Sequence, residues 1–206
     1  MDIEDIYKEV SDSLNKSLIS SKILLDRLKF IDESSRNASS YHDKKFVPFY
    51  YHLGKVIQPE NMLELGFNLG LLSSCFLKSC KTVVNYLGFQ EVKTTYFSPR
   101  LGVSNIKFNY KKYLDYYIGN VFDPLFSEKV SEKLWDFVII NEEEGFDKCL
   151  QRLDYVWPNL AINSIVVVEY VNKNKAAKEA FISFCESKNK KSFIFDTRFG
   201  TGMLQK

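Results

Sequence analysis

The chain predicts an α/β fold: a mostly parallel, seven-stranded sheet with helices on both faces, a helical N-terminal extension and an antiparallel C-terminal hairpin. Three observations carry this expectation. The segment Asn61 to Gly70, NMLELGFNLG, reads as an apolar strand, a Gly66-x-x-x-Gly70 turn and the entry to a helix over Leu71–Lys78. The runs Trp135–Ile140 (WDFVII) and Ile165–Val171 (IVVVEYV) carry almost no polar residues, the pattern of strands covered on both faces. Ser192–Thr197 and Thr201–Leu204 lie so close across Phe199-Gly200 that they read as a closing antiparallel pair. Such alternation specifies an open sandwich with its ligand site at the carboxyl ends of the strands.

Each element has its own signal. From Ile3 to Ile31, apolar residues (Ile3, Ile6, Tyr7, Val10, Leu14, Leu18, Ile23, Leu24, Leu28, Ile31) recur mostly at helical spacing. This amphipathic preface, residues 1–45 with its trailing polar loop, forms a helical extension. Its stripe covers either the main sheet or a second subunit, so the N-terminal helices are the candidate surface for a homo-oligomer. The main domain, residues 46–206, opens with a helix over Phe46–Ile57, stopped by Pro59. Thr82–Gly88 and Tyr113–Gly119 are the second and third strands. Between them, Pro99 and Gly102 interrupt Glu91–Lys112, predicting a loop-rich excursion with a short helix or hairpin. Phe146–Leu160 and Asn174–Ser187 are helices on either side of the fifth strand.

Composition limits the function classes. The 206 residues are 45% hydrophobic, enough for one sizeable core. Lys+Arg 28 against Asp+Glu 26 leaves a net charge of +2, which builds in no long-range attraction to nucleic acid. The clusters Lys107, Lys111, Lys112 and Lys188, Lys190, Lys191 therefore read as solvated surface. Cys75, Cys80, Cys149 and Cys185 form no C-x-x-C pair, which argues against zinc and redox motifs and for free thiols in a reducing, cytoplasmic setting. No apolar stretch approaches the roughly 20 residues of a membrane helix, and no charged-then-apolar leader precedes Ile3. His42 and His52 have no two-histidine metal spacing.

The glycine turn fits neither the three-glycine dinucleotide pattern nor a P-loop, which needs a Lys-Ser or Lys-Thr pair. A glycine at position 66 lets a ligand lie against bare backbone, and Glu64 beside it suits a ribose or an amino group. With the order of the later motifs, the chain resembles the class I S-adenosylmethionine-dependent methyltransferases, a Rossmann-like family, and in particular their small-molecule O-methyltransferase branch. LELGFNLG resembles the family's E-x-G-x-x-x-G loop. WDFVIINEEEGFDKCLQRLDYVWPNLAINSIVVVEYV follows its rhythm of strand, acidic turn, helix, Trp-Pro-x-Leu and strand, and TRFGTGMLQK is similar to its last hairpin.

The resemblance implies S-adenosylmethionine as cofactor and a small-molecule hydroxyl or amine as methyl acceptor. It implies a cofactor shell of Glu64, Gly66, Phe67, Asn68, Gly70, Gln90, Asn120 and Asn141, with the amides of the glycine turn open to the cofactor carboxylate. Glu143 or Glu144 would act as a base or position the acceptor, with Glu169 facing the same cavity. Three positions depart from the family's usual acidic residues: Gln90, Asn120 and Asn141 are amides, which lose the charge-assisted part of a hydrogen bond. The metal positions of cation-dependent members read Asn141, Glu169 and Tyr170, a poor set for magnesium, so no metal is expected. A competing expectation is a methyltransferase-fold protein that has lost turnover and serves binding or assembly. A nucleic-acid methyltransferase is disfavoured by the charge balance and by the lack of an Asn/Asp-Pro-Pro-aromatic tetrapeptide.

Overall fold

The computed structural model describes residues 1–16, 45–91, 98–110, 113–141, 145–173 and 175–206. Within them one seven-stranded sheet has the order β3-β2-β1-β4-β5-β7-β6. Its strands are β1 Asn61–Leu65, β2 Asn85–Glu91, β3 Tyr113–Gly119, β4 Trp135–Ile140, β5 Leu160–Glu169, β6 Ser192–Phe195 and β7 Thr201–Gln205. Strands β1 to β5 pair in parallel, and β7 runs antiparallel to both β5 and β6. The helices are α1 Ile3–Lys16, α2 Phe46–Ile57, α3 Leu71–Ser79, α4 Pro99–Asn109, α5 Pro124–Ser131, α6 Phe146–Val156 and α7 Lys175–Ser187, with a 3-10 turn over Trp157–Asn159. None of these helices is long and apolar enough to cross a membrane.

Period-two alternation in the central strands divides the core in two. Met62 of β1, Phe137 and Ile139 of β4, and Ile165 and Val167 of β5 face α1 to α4; Leu63, Leu65, Val138, Ile140, Val166 and Val168 face α5 to α7. Phe76 of α3 stacks on Phe137 at 4.4 Å between ring centroids, joining the first layer to the middle of the sheet. Helix α1 spends its apolar stripe inside the chain. Ile3, Ile6 and Val10 are buried, and Tyr7 stacks on Phe193 of β6 at 4.4 Å. The rest of the predicted stripe, Leu18 to Ile31, lies outside the described residues.

The helix expected over Phe146–Leu160 ends at Val156 and the strand expected over Ile165–Val171 is Leu160–Glu169; three further departures have local reasons. β2 starts at Asn85 rather than Thr82 because its partner starts at Asn61: Pro59 has no N–H for a ladder, and Thr82 Oγ1 instead donates to the Pro59 carbonyl at 2.9 Å. Pro99 is no interruption but the first turn of α4, where a missing N–H costs nothing. Helix α5 was not foreseen, although Asp123 caps it by accepting from the Leu125 amide at 3.0 Å and Pro124 begins it.

Candidate functional site

Strand β1 lies at the switch in strand order, with β2 and β3 on one side and β4 and β5 on the other, the place where open α/β sheets bind ligands as the chain leaves β1 and β4. The segment leaving β1 makes the sharp turn the sequence predicts. Gly66 (φ 86°), Asn68 (φ 47°) and Gly70 (φ 70°) all take left-handed angles, and the single non-glycine among them is held by its side chain, Asn68 Nδ2 donating to the Gly66 carbonyl at 3.0 Å. Helix α4 packs its bare backbone onto this turn. A Cβ on Gly102 would stand 2.0 Å from the Asn68 carbonyl oxygen, and one on Gly70 would stand 2.6 Å from the Ile106 side chain.

Two of the amides that replace the family's usual acids are the struts of this turn. Gln90, at the end of β2, accepts from the Asn68 amide at 2.6 Å. Asn141, after β4, donates from Nδ2 to the Gly66 carbonyl at 2.8 Å, while its own N–H donates to Leu65. The structure therefore gathers Gly66, Phe67, Asn68, Gly70, Gln90 and Asn141, but corrects how they work. The amides of Gly66 and Phe67 both donate to the Phe89 carbonyl (2.8 and 3.2 Å), that of Asn68 to Gln90, and that of Gly70 to the Phe67 carbonyl at 2.6 Å. All four N–H groups expected to be open to a carboxylate are already engaged. Phe67 is 1% exposed, its ring between Gly88 and Gly102 in the core. This turn shapes a surface; the amides at the start of α3, beginning with Leu71, are the ones helix geometry leaves without intrahelical partners.

Glu64 needs a second correction. It is fully buried on the α3 side of the sheet, where Oε2 accepts from the Ser73 hydroxyl and from the Tyr86 hydroxyl at 2.5 Å. Its other oxygen, Oε1, has no hydrogen-bond partner among the described residues. Burial pushes the carboxyl up from 4.5 to about 8, against a smaller lowering by the Tyr86 hydrogen bond, so at neutral pH it is mostly an uncharged acid. Glu169 is likewise not a cavity residue: it is 1% exposed, accepts from the Tyr50 hydroxyl, and accepts from Thr201 Oγ1 at 2.7 Å. Burial and the neighbouring Glu169 hold the Tyr50 phenol well above its usual range, which keeps it a donor. Among the described residues no group of three or more His, Cys, Asp or Glu side chains could hold a metal ion.

Asn120 stands apart from the turn. It is exposed after β3, where its Oδ1 accepts from the Phe122 amide at 3.0 Å and its carbonyl from the Asp123 amide, forming the turn into α5. Glu143 and Glu144 lie outside the described residues. One feature escaped the sequence reading. Glu91, next to Gln90 and on the opposite face of β2, has a side chain 26% exposed, and Arg152 of α6, 5% exposed, lies 3.8 Å from it and 5.5 Å from the Phe122 ring centre. The signal was available: Arg152 falls at helical spacing among Cys149, Leu153 and Val156, a cation on an otherwise apolar face.

No family model and no curated protein matches the sequence. Solved structures do match in fold. A putative caffeoyl-CoA O-methyltransferase from Staphylococcus aureus superposes with a TM-score of 0.65 at 12% identity, covering 98% of this chain and 99% of that one. A methyltransferase from Podospora anserina, solved with S-adenosylhomocysteine bound, gives 0.62 at 13% identity over 99% and 96%. An O-methyltransferase from Streptomyces achromogenes involved in tomaymycin synthesis, solved with S-adenosylmethionine, gives 0.59 at 12% over 100% and 98%. The protein has the Rossmann-like fold of the class I O-methyltransferases.

Proposed function

We propose that this protein transfers the methyl group of S-adenosylmethionine to a hydroxyl or amine of a small molecule in the cytoplasm. The observation that carries the reading is the left-handed glycine turn at the β1 switch point, braced from β2 by Gln90 and from β4 by Asn141. The residues fit an adenosyl amino acid: a bare-backbone turn for the methionine part, the start of α3 for its carboxylate, and Glu91 with Arg152 behind it for the ribose hydroxyls. Asn120 would meet the adenine, and Glu64 Oε1 would meet the ammonium. The bound cofactor supplies an electrophilic methyl on a sulfonium. The chain's task is then to hold an acceptor in line with that methyl, to exclude water, and to take the acceptor's proton, for which Glu143 or Glu144 is proposed.

Titration calorimetry with S-adenosylmethionine and S-adenosylhomocysteine tests the reading, with saturable heat expected; no heat at millimolar ligand refutes it. A second reading, a fold retained for binding or assembly without turnover, draws on the same braces, since Gln90 and Asn141 hold the turn's own backbone. Binding of S-adenosylhomocysteine with no methyl transfer to any of a broad panel of phenols, catechols and amines would favour it.

A further inference from the structure

We propose that a groove at the amino-terminal end of the sheet binds an organic cation, an ammonium or guanidinium group carried on a short alkyl chain. The groove holds about 300 Å³ and lies where α2 ends and where β1, β4 and β5 begin. Gly66 and its turn stand at the other end of these parallel strands, so the inference is independent of the methyltransferase reading.

Strand register makes the groove. Trp135 of β4 pairs with Leu160 of β5, but Phe137, two residues on, pairs with Ile165, so the β5 segment between them bows away from β4. Asn163 takes a left-handed φ of 64° in this bend. The bend is pinned from its other side: Asn163 N–H donates to the Lys206 carbonyl at 3.2 Å, Lys206 N–H to the Ser164 carbonyl at 3.0 Å, and Gln205 Nε2 to the Asn163 carbonyl at 3.1 Å. Asp136 sets the facing wall. Its Oδ2 accepts from the N–H groups of Glu60 and Asn61 at 3.1 and 2.8 Å and from Asn61 Nδ2 at 3.3 Å.

The lining selects a cation. Among the described residues, Asp136 and Glu60 bring two carboxylates to the groove, and no lysine or arginine lines it. Every hydrogen bond that Asp136 accepts there falls on Oδ2, which leaves Oδ1 for a ligand. Glu60 is exposed, and its side chain enters no hydrogen bond or ion pair among the described residues, while its carbonyl is fixed by the Val84 and Asn85 amides at 2.9 and 3.1 Å. A third acceptor is independent of charge: Ser164 lines the groove, is 2% exposed, and its Oγ has no hydrogen-bond partner among the described residues. Beside these acceptors, Ile57 and the 85% exposed Ile162 supply hydrocarbon. Such a lining suits a charged head on an alkyl stem, because the donors of the head gain charge-assisted bonds while the methylenes leave water. A divalent metal fits less well. Calcium takes about six to eight oxygens, and no group of three or more His, Cys, Asp or Glu among the described residues could hold a metal ion.

The test is an amide NMR titration of the isotope-labelled full chain with n-butylguanidinium, n-butylammonium, neutral n-butanol and magnesium ion. At least one organic cation should shift the Glu60, Asn61 and Asn163 amides saturably, with butanol about tenfold weaker. Glu60→Gln, at an exposed position, should weaken that cation by about fivefold and leave butanol unchanged. Ser164→Ala removes a hydroxyl without a partner, so it should weaken the cation by about threefold without lowering the melting temperature. A capped arginine, N-acetylarginine N-methylamide, identifies the source: binding equal to that of butylguanidinium assigns the groove to an arginine side chain of a protein partner, and weaker binding assigns it to a free small cation. Equal binding of butanol and the cations, the same saturable shifts with magnesium at equal concentration, unchanged cation affinity in both variants, or no saturable shift would overturn the site. S-adenosylhomocysteine calorimetry judges the methyltransferase reading separately, since Glu60 and Ser164 lie at the other end of the strands from the glycine turn.

Discussion

Replacing Glu64 by Gln should make the protein more stable at high pH and leave it nearly unchanged at low pH. The carboxyl titrates near 4.5 when unfolded and at about 8 when folded, because burial disfavours its charge. Between those values the folded state keeps a proton that the unfolded state has released. Stability from this group is therefore complete below pH 4.5, declines as pH rises, and is lost once pH passes about 8. At about 1.4 kcal/mol per pH unit, the loss reaches roughly 3 kcal/mol by pH 7 and at most about 5 kcal/mol above pH 8. Glutamine keeps an oxygen for the Ser73 and Tyr86 hydroxyls and has no charge to bury. Urea unfolding followed by tryptophan fluorescence from pH 5 to 9 should show the variant gaining on the wild type up to about pH 8 and then levelling off, at unchanged m-value. Parallel pH curves, with a difference flat to within about 0.5 kcal/mol, would refute the assignment of a neutral buried acid. On the methyltransferase reading the same carboxyl would meet the cofactor. An ammonium brought to Oε1 would hold the ionised form, so cofactor binding at pH 7 should release a proton, seen as calorimetric heat that varies with the buffer's ionisation enthalpy.

Gly102→Ala should destabilise the protein by about 2–3 kcal/mol, because its Cβ would meet the Asn68 carbonyl oxygen at 2.0 Å; on an unpacked helix the same change would stabilise by about 1 kcal/mol, so the sign from urea unfolding decides. Asn141→Ala removes the donor to the Gly66 carbonyl and should cost about 1–3 kcal/mol, with weaker S-adenosylhomocysteine binding. Asn141→Asp should be worse than Asn141→Ala at pH 7, since it sets a carboxylate against that carbonyl; equal or better stability of Asn141→Asp would show that the amide is no brace.

The features legible in the sequence are those fixed by near neighbours in the chain. The β1 turn and α3 could be read because glycine spacing and the apolar run specify them within about ten residues. Helix α5 was harder: it buries only Phe126 and Val130, too few for a periodic signal, although the Asp123-Pro124 cap marked its start. Site residues could be named by position but not by what they touch. Gln90 meets Asn68 across 22 residues, and Asn141 meets Gly66 across 75, pairings set by the parallel register of β2, β1 and β4. Once that register exists, the amide at position 141 acquires a reason. A carboxylate at position 90 could still accept from the Asn68 amide, but at position 141 the partner is a carbonyl, and only a donor serves.

Glu64 follows from the same logic one step further. In a central strand flanked by β2 and β4, both faces are covered, so a side chain two residues after Met62 must enter the α3 layer whatever its charge. The sequence compensates with Ser73 on α3 and Tyr86 on β2, two donors directed at one oxygen, and leaves the other without a partner among the described residues. A buried polar atom without a partner costs about 1–3 kcal/mol. That cost is sustained at the end of β1, directly before the turn braced by Gln90 and Asn141. On the methyltransferase reading, that remaining oxygen is the one proposed to meet the cofactor's ammonium.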